Sequence, residues 1–75
     1  MHYIYLLFRS DNKKTYIGYT DNLQRRLKEH KAKRPELIYY EAYRDKRDAQ
    51  EREKKLKQRG QTIRRLKERL KHSLL

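Results

Sequence analysis

Glu53 is an acidic residue on a helical stripe that is otherwise apolar. It lies four residues after Ala49 and three before Leu56, a spacing that puts the three side chains on one face of a helix. A carboxylate there is costly unless it is paired with a cation or binds a metal. The pattern indicates a ligand for a hard cation such as Mg²⁺ or Mn²⁺, an ion pair with one of the many basic residues, or a boundary position whose carboxylate reaches water.

Arg26 and His30 are separated by four residues, so their side chains lie along one line of a helix. Each follows a leucine, Leu23 or Leu27, by three residues, which places both at the border of the apolar face. Arginine offers a planar fork to phosphate oxygens, and histidine exchanges a proton near neutral pH. The alternative is a surface arginine and a histidine favoured by the helix dipole. Arg25 competes for the role but is directed further outward.

Tyrosine is the favoured aromatic residue, with seven copies against one phenylalanine and no tryptophan. Tyr5 and Tyr16 fall on two predicted strands of one hairpin, opposite or diagonal to each other, where they can share a site. Gly18 within the second strand predicts a bulge or a close backbone approach, with two tyrosine hydroxyls converging beside it. The alternative is packing, with hydroxyls at the sheet rim. Three later tyrosines are assigned to packing or to the rim: Tyr39, Tyr40 and Tyr43.

Short elements must position these residues. Hydrophobic patterning and turn residues predict strands over 3–8, 15–19 and 37–43, with a turn over 10–14. They also predict three helices, over 21–31, 45–59 and 62–72.

The ends of these helices have sequence signals of their own. Asp21 as N-cap with Gln24 three residues later forms a capping-box pattern. Leu23 and Leu27 mark the buried face of the first helix. Gly60 is expected to end the second helix.

Length and composition exclude several classes. A chain of 75 residues is expected to form one domain, 1–75, whose thin core argues against a large internal cofactor pocket. The absence of cysteine excludes disulfides, cysteine-ligated zinc and thiol chemistry. No apolar run approaches the roughly 18 residues of a membrane span. We therefore expect a cytoplasmic protein without a membrane partner.

The net charge is +12, and +8 of it falls within residues 44–75. Such a surface attracts polyanions, and phosphate neutralisation gives affinity for nucleic acid without sequence preference. A solvated helix surface or attraction to an anionic membrane would produce the same composition.

The order of the motifs is more specific than any one of them. Y-I-Y at residues 3–5, Y-I-G at 16–18, Arg26 and His30 on a helix, and Glu53 on a later helix together resemble the GIY-YIG nuclease family. The resemblance is closest to its small single-domain bacterial members. The same domain occurs in phage homing endonucleases and in the excision-repair nuclease.

The resemblance covers about residues 2–58 and leaves the basic helix 62–72 outside. It implies an α+β fold with a small three-stranded antiparallel sheet flanked by helices, in the order β-β-α-β-α-α. It also implies a metal-dependent DNA endonuclease that hydrolyses phosphodiester bonds, with one Mg²⁺ or Mn²⁺ held by Glu53. The implied catalytic residues are Tyr5, Tyr16, Arg26, His30 and Glu53.

Further expectations concern the substrate. The DNA is expected to be branched or nicked, in repair or processing, and a monomer is favoured. Basic residues expected to contact DNA are Lys31, Lys33, Arg34, Arg52, Lys55 and Arg59.

The sequence also departs from the family. Tyr3 stands where the first motif has glycine, a common variant in small members, and the segment 31–36 is short. A short segment here favours the alternative of a non-catalytic basic nucleic-acid-binding module with a degenerate site. A third possibility is a basic interaction protein that offers an apolar stripe to a partner helix: Ile63, Leu66 and Leu70.

Overall fold

The computed structural model describes residues 1–30, 35–58 and 60–75, without the side chain of His30. Six elements follow one another: β1 His2–Arg9, β2 Lys14–Thr20, α1 Leu23–His30, β3 Glu36–Tyr43, α2 Lys46–Lys57 and α3 Gln61–Arg69. The strands form one antiparallel sheet in the order β2-β1-β3. The predicted α+β fold and its element order are therefore confirmed.

The β1–β2 hairpin sets the register of the tyrosine motifs. Its turn is closed by the Asn12 side chain, whose Oδ1 accepts the Lys14 backbone N–H at 3.0 Å. In the resulting register Tyr5 lies opposite Gly18, and Tyr16 lies opposite Leu7, two residues after Tyr5 on β1. Tyr5 and Tyr16 are thus diagonal neighbours on one face, as expected from the sequence.

The core lies on the other face of the sheet. Ile4 and Leu6 of β1 pack with Ala49 and Leu56 of α2 and with Leu66 of α3. Successive strand residues point to opposite faces, so β1 gives Ile4 and Leu6 to the core and Tyr5 to the opposite side. The predicted apolar stripe of α2 is confirmed.

The apolar stripe of α3 belongs to the same core. Leu66 is buried, and Ile63 and Leu70 are half-buried against the cluster. The stripe therefore closes the protein's own core, which removes the reason to expect a partner helix there.

Two predicted helix boundaries are wrong. Asn22, and not Asp21, caps α1, because its Oδ1 accepts the Arg25 N–H at 3.0 Å while the Asp21 carboxylate faces the Arg25 guanidinium. Gly60 does not end α2: the helix stops at Lys57, and extended Gly60 is instead the N-cap of α3.

One burial prediction on α1 is also wrong. Leu27 is expected from the sequence to face the core with Leu23, but it is 40% exposed. The half-buried residues of α1 are Leu23 and Arg26, three residues apart, so the helix turns a different line of side chains toward the sheet. No helix within the described ranges has the length and apolar character required to cross a bilayer.

Candidate active site

Tyr5 lies at the centre of the sheet face that is opposite the core. It is 4% exposed, and its phenol passes over Gly18 of β2. A Cβ at position 18 would overlap Oη and Cζ of the ring. The group that approaches Gly18 is the side chain of Tyr5 and not the predicted backbone segment, and no bulge interrupts the β1–β2 register at this position.

Arg26 reaches the Tyr5 hydroxyl from α1. Its Nε donates to Tyr5 Oη at 2.8 Å, and its Cζ lies 5.8 Å from the centre of the Tyr5 ring. Its Nη1 donates to Glu29 Oε2 at 3.1 Å. The hydrogen bond to Tyr5 raises the pKa of Arg26 above its ordinary value, so the guanidinium is a permanent cation. The position of Arg26 follows from the Asn22 cap, whose backbone carbonyl accepts the Arg26 N–H at 3.2 Å.

Arg25 shares the partner Glu29 with Arg26 but is otherwise placed differently. Its side chain is 65% exposed, against 42% for Arg26, and it lies within 4 Å of the carboxylates of Asp21 and Glu29. Both of those contacts are long, at 3.7 and 3.9 Å. The structure therefore separates the two adjacent arginines into one that is bound to Tyr5 and one at the surface.

Tyr16 shares the face of Tyr5 but is open to solvent. It is 41% exposed and lies on β2 two residues before Gly18. A buried phenol bound to a guanidinium and an exposed phenol thus lie in adjacent positions of the hairpin.

Glu53 lies on α2, on the line between the buried Ala49 and Leu56. Its side chain is 23% exposed, and its Oε2 pairs with Lys57 Nζ at 3.2 Å. Of the described hydrogen bonds and ion pairs, none joins it to Tyr5 or Arg26. Within residues 1–30, 35–58 and 60–75, no three His, Asp or Glu side chains converge on a possible metal position. A metal at Glu53 would therefore have fewer than three such ligands among the described residues.

The remaining predicted residues have different outcomes. Lys55 is exposed on α2. Arg52 is held by Glu41 in a two-pronged ion pair, with Nε–Oε1 at 3.0 Å and Nη2–Oε2 at 3.1 Å. His30 is the last residue of α1. Several predicted residues lie outside the described part of the chain: the side chain of His30, and Lys31, Lys33, Arg34 and Arg59.

Glu41 is a feature that sequence reasoning missed. On the α2 side of β3 its carboxylate accepts the hydroxyls of Tyr39 and Tyr43 in addition to Arg52. The available signal was the alternation Tyr39-x-Glu41-x-Tyr43, which puts an acid between two phenols on one strand face.

The ionisation of this network follows from its contacts. Burial opposes ionisation of Glu41, but the hydrogen bonds from Arg52, Tyr39 and Tyr43 outweigh it and lower the pKa of Glu41. Burial, followed by the bond to Glu41, raises the pKa of Tyr43 to about 12. Tyr39 and Tyr43 are therefore neutral donors at physiological pH, committed to a carboxylate on the core side.

Comparison with known proteins identifies one family over most of the chain. A family model described as the GIY-YIG catalytic domain matches residues 1–68, which include most of α3. A UPF0213 protein of Bacillus velezensis is 39% identical over 67 residues, covering 76% of this chain and 67% of the relative. No solved structure is significantly similar to the chain.

Proposed function

Because the chain belongs to the GIY-YIG catalytic domain family, an endonuclease-type family, we propose that it is a metal-dependent endonuclease that hydrolyses phosphodiester bonds of DNA. Branched or nicked DNA in repair or processing is the proposed substrate, and the cytoplasm the proposed location. The observation that supports the proposal best is the bond between Arg26 and Tyr5 over Gly18.

The Arg26 guanidinium is the proposed stabiliser of the transition state. A guanidinium has five N–H donors, of which the described contacts to Tyr5 and Glu29 use two. The others can bind oxygens of a phosphoryl group through charge-assisted hydrogen bonds. Since Tyr5 already fixes the guanidinium, little reorganisation is needed as charge develops, which is the condition for electrostatic catalysis.

The two phenols are proposed to position the attacking water. Tyr5 Oη accepts from Arg26, so its own hydrogen is directed elsewhere and can be donated to water or phosphate. Tyr16 is exposed on the same face and reaches solvent directly. The proton acceptor is one of Tyr5, Tyr16 and His30. A phenol with an ordinary pKa near 10 is almost entirely protonated at neutral pH, so a tyrosine is a poor base there. The ordinary pKa of a histidine is close to neutral pH.

Glu53 is the proposed holder of the metal. Mg²⁺ commonly keeps several waters and binds through one or two carboxylates plus substrate phosphates, so a single partly exposed glutamate fits it. Release of Lys57 costs little, because its side chain is 57% exposed and ion pairs that reach solvent contribute little free energy. When bound, a divalent ion neutralises phosphoryl charge and stabilises the leaving 3′ oxygen.

The basic surface is proposed to hold the DNA backbone. Thirteen lysines and arginines fall within residues 44–75, and exposed Lys55 lies two positions after Glu53. Binding of this kind weakens steeply with salt, because it releases condensed counterions. The predicted contacts at Lys31, Lys33, Arg34 and Arg59 remain part of this proposal.

A cleavage assay with paired variants tests the function. Wild type, Glu53→Ala and Glu51→Ala are incubated with labelled single-stranded, duplex and branched DNA in Mg²⁺, Mn²⁺ or EDTA. Glu51 is an exposed acid on the same helix, so its variant makes the same charge change away from the buried stripe.

We expect cutting by wild type and Glu51→Ala in either metal, and none by Glu53→Ala or in EDTA. Cutting by Glu53→Ala at the wild-type rate would show that Glu53 does not hold the metal. Gel retardation without cutting under every condition would identify a non-catalytic binding module instead.

A further inference from the structure

A second pair of aromatic rings lies beside Tyr5, formed by Tyr3 and Tyr40. Tyr40 is directly opposite Tyr5 across the β1–β3 pair, on the same face of the sheet, and it is 53% exposed. The rings of Tyr3 and Tyr40 meet edge to face, with centroids 6.2 Å apart and planes at 63°. An exposed ring is thus supported by a neighbouring ring next to the tyrosine that binds Arg26.

The other two tyrosines of β3 are committed elsewhere. Tyr39 and Tyr43 point to the core side, where their hydroxyls donate to Glu41. Sequence position alone does not tell which of Tyr39, Tyr40 and Tyr43 faces the core. In the structure it is Tyr40, of the tyrosines on this strand, that lies on the Tyr5 face.

A cleft of about 370 Å³ joins the two rings to the start of α1. Its lining is unusual for a chain with a net charge of +12, because the described residues that form it include no lysine or arginine. The lining residues are Tyr3, Asp21, Asn22, Leu23, Gln24 and Tyr40.

This lining suits a nucleobase and not a phosphate. Aromatic side chains stack on every base, because each base has a π-face. Gln24 has an amide side chain of the type that hydrogen-bonds base edges, and Asn22, whose Oδ1 caps α1, still has its amide N–H groups to donate. The carboxylate of Asp21 repels a phosphate but accepts from the amino group of a base. Phosphates would instead be drawn to Arg26 of α1, which binds Tyr5, the residue opposite Tyr40 in the sheet.

We propose that Tyr40, supported by Tyr3, stacks an unpaired nucleobase next to the phosphodiester that Arg26 binds. The inference rests on the proposed function and specifies its substrate: DNA in which the base beside the cut is unpaired, as in a single strand, a flap or a gap. In continuous duplex the same base is stacked between its neighbours, so neither of its faces is available to stack on the Tyr40 ring.

Fluorescence of 2-aminopurine tests the proposal in EDTA, where a metal-dependent enzyme does not cut. The probes are a single-stranded oligonucleotide and a matched duplex, each with 2-aminopurine at one position. The variants are Tyr40→Ile, which removes the ring but keeps a strand-forming residue, and Tyr40→Phe, which keeps the ring. Thermal melts of both variants establish that they fold.

We expect wild type and Tyr40→Phe to quench the single-stranded probe and to bind it with equal affinity. Tyr40→Ile should bind the single strand about fivefold or more weakly, the lower end of the loss for one stacked base, and bind duplex as wild type does. Single-strand affinity that is unchanged in Tyr40→Ile, or equally reduced in Tyr40→Phe, would overturn the stacking site.

Cleavage assays on wild type and the Tyr40 variants distinguish failure of the stacking proposal from failure of the proposed endonuclease function. Cleavage by wild type with no dependence on Tyr40 would overturn the stacking site and leave the endonuclease intact. A wild-type protein that neither binds nor cuts any DNA would overturn both.

Discussion

Gly18 lies directly opposite Tyr5 in the β1–β2 pair, and the phenol of Tyr5 fills the volume that a side chain at position 18 would occupy. The glycine is therefore required by the tyrosine and not by its own backbone, since its φ is not positive. The second motif thus keeps its glycine in order to let the first motif place a hydroxyl against Arg26.

Gly18→Ala should displace the Tyr5 ring and break its hydrogen bond to Arg26. We expect a loss of about 1–3 kcal/mol in the free energy of unfolding, the usual cost of overpacking, together with a large loss of cleavage. Urea unfolding and cleavage rates measure the two effects. Gly60→Ala is the matched control: no atom lies within 4 Å of its added Cβ, and only a helix-cap effect of about 1 kcal/mol or less is expected. Equal behaviour of the two variants would contradict the proposed role of Gly18.

Arg26→Ala should remove about 2–4 kcal/mol of transition-state stabilisation, comparable to the loss of one preorganised donor, which lowers kcat about 30- to 10³-fold. Arg25→Ala removes the same charge from the adjacent position, where the side chain is 65% exposed and where, among the described contacts, no hydrogen bond or cation–π contact joins it to Tyr5. We expect it to retain nearly full kcat. Single-turnover cleavage of one labelled substrate compares the two, and equal rates would remove the assignment of Arg26.

Lys57→Ala should leave the Glu53 carboxylate without its cation and so strengthen metal binding. The half-maximal Mg²⁺ concentration for cleavage is expected to fall about two- to fivefold, in line with the small energy of an exposed pair. Lys54→Ala removes an equal charge from an exposed position of α2 and is the control for weakened DNA binding. A titration with Mg²⁺ at saturating DNA distinguishes them. An unchanged or higher Mg²⁺ requirement in Lys57→Ala would argue that the carboxylate does not bind the ion.

Glu41→Gln should make the free energy of unfolding less dependent on pH in the acidic range. The folded state lowers the pKa of Glu41. The Glu41 carboxylate therefore contributes fully to the free energy of unfolding above the ordinary glutamate pKa of about 4.3, and this contribution is lost as the pH falls through the lower pKa of the folded state. The variant should be less stable by about 1–3 kcal/mol at pH 7, because Arg52 loses its charged partner, and should show a shallower decline below a pH of about 4.3. Unfolding by urea from pH 2 to 7 measures this. Glu36→Gln, at an exposed position of the same strand, is expected to follow wild type.

Much of the fold was predictable because its signals are local. The apolar run of β1, the turn after it and the stripe of Ala49 and Leu56 each identify an element and its buried side. The helix ends were less accessible, since adjacent Asp21 and Asn22 are both suitable caps and only the path of the chain selects between them.

The site was predictable in part for the same reason. Strand alternation and hairpin register bring Tyr5 to Gly18, and helical spacing selects Arg26 over Arg25. The pairing of Arg52 with Glu41 was not predictable from spacing, because it joins a strand to a helix eleven residues later. The exposure of Tyr40 likewise depends on the order of strands in the sheet.

The central position of β1 has a consequence for how this protein can change. Neighbouring residues of one strand serve the core and the site in turn, with Ile4 and Leu6 on one side and Tyr5 on the other. A shift of the β1 register by one residue would turn the core residues toward the site and the site residues toward the core. Such a shift cannot preserve one face and lose the other. An insertion or deletion within β1 would thus disrupt the core and the site together, whereas a change in edge strand β3 at Tyr40 would alter the Tyr5 face alone.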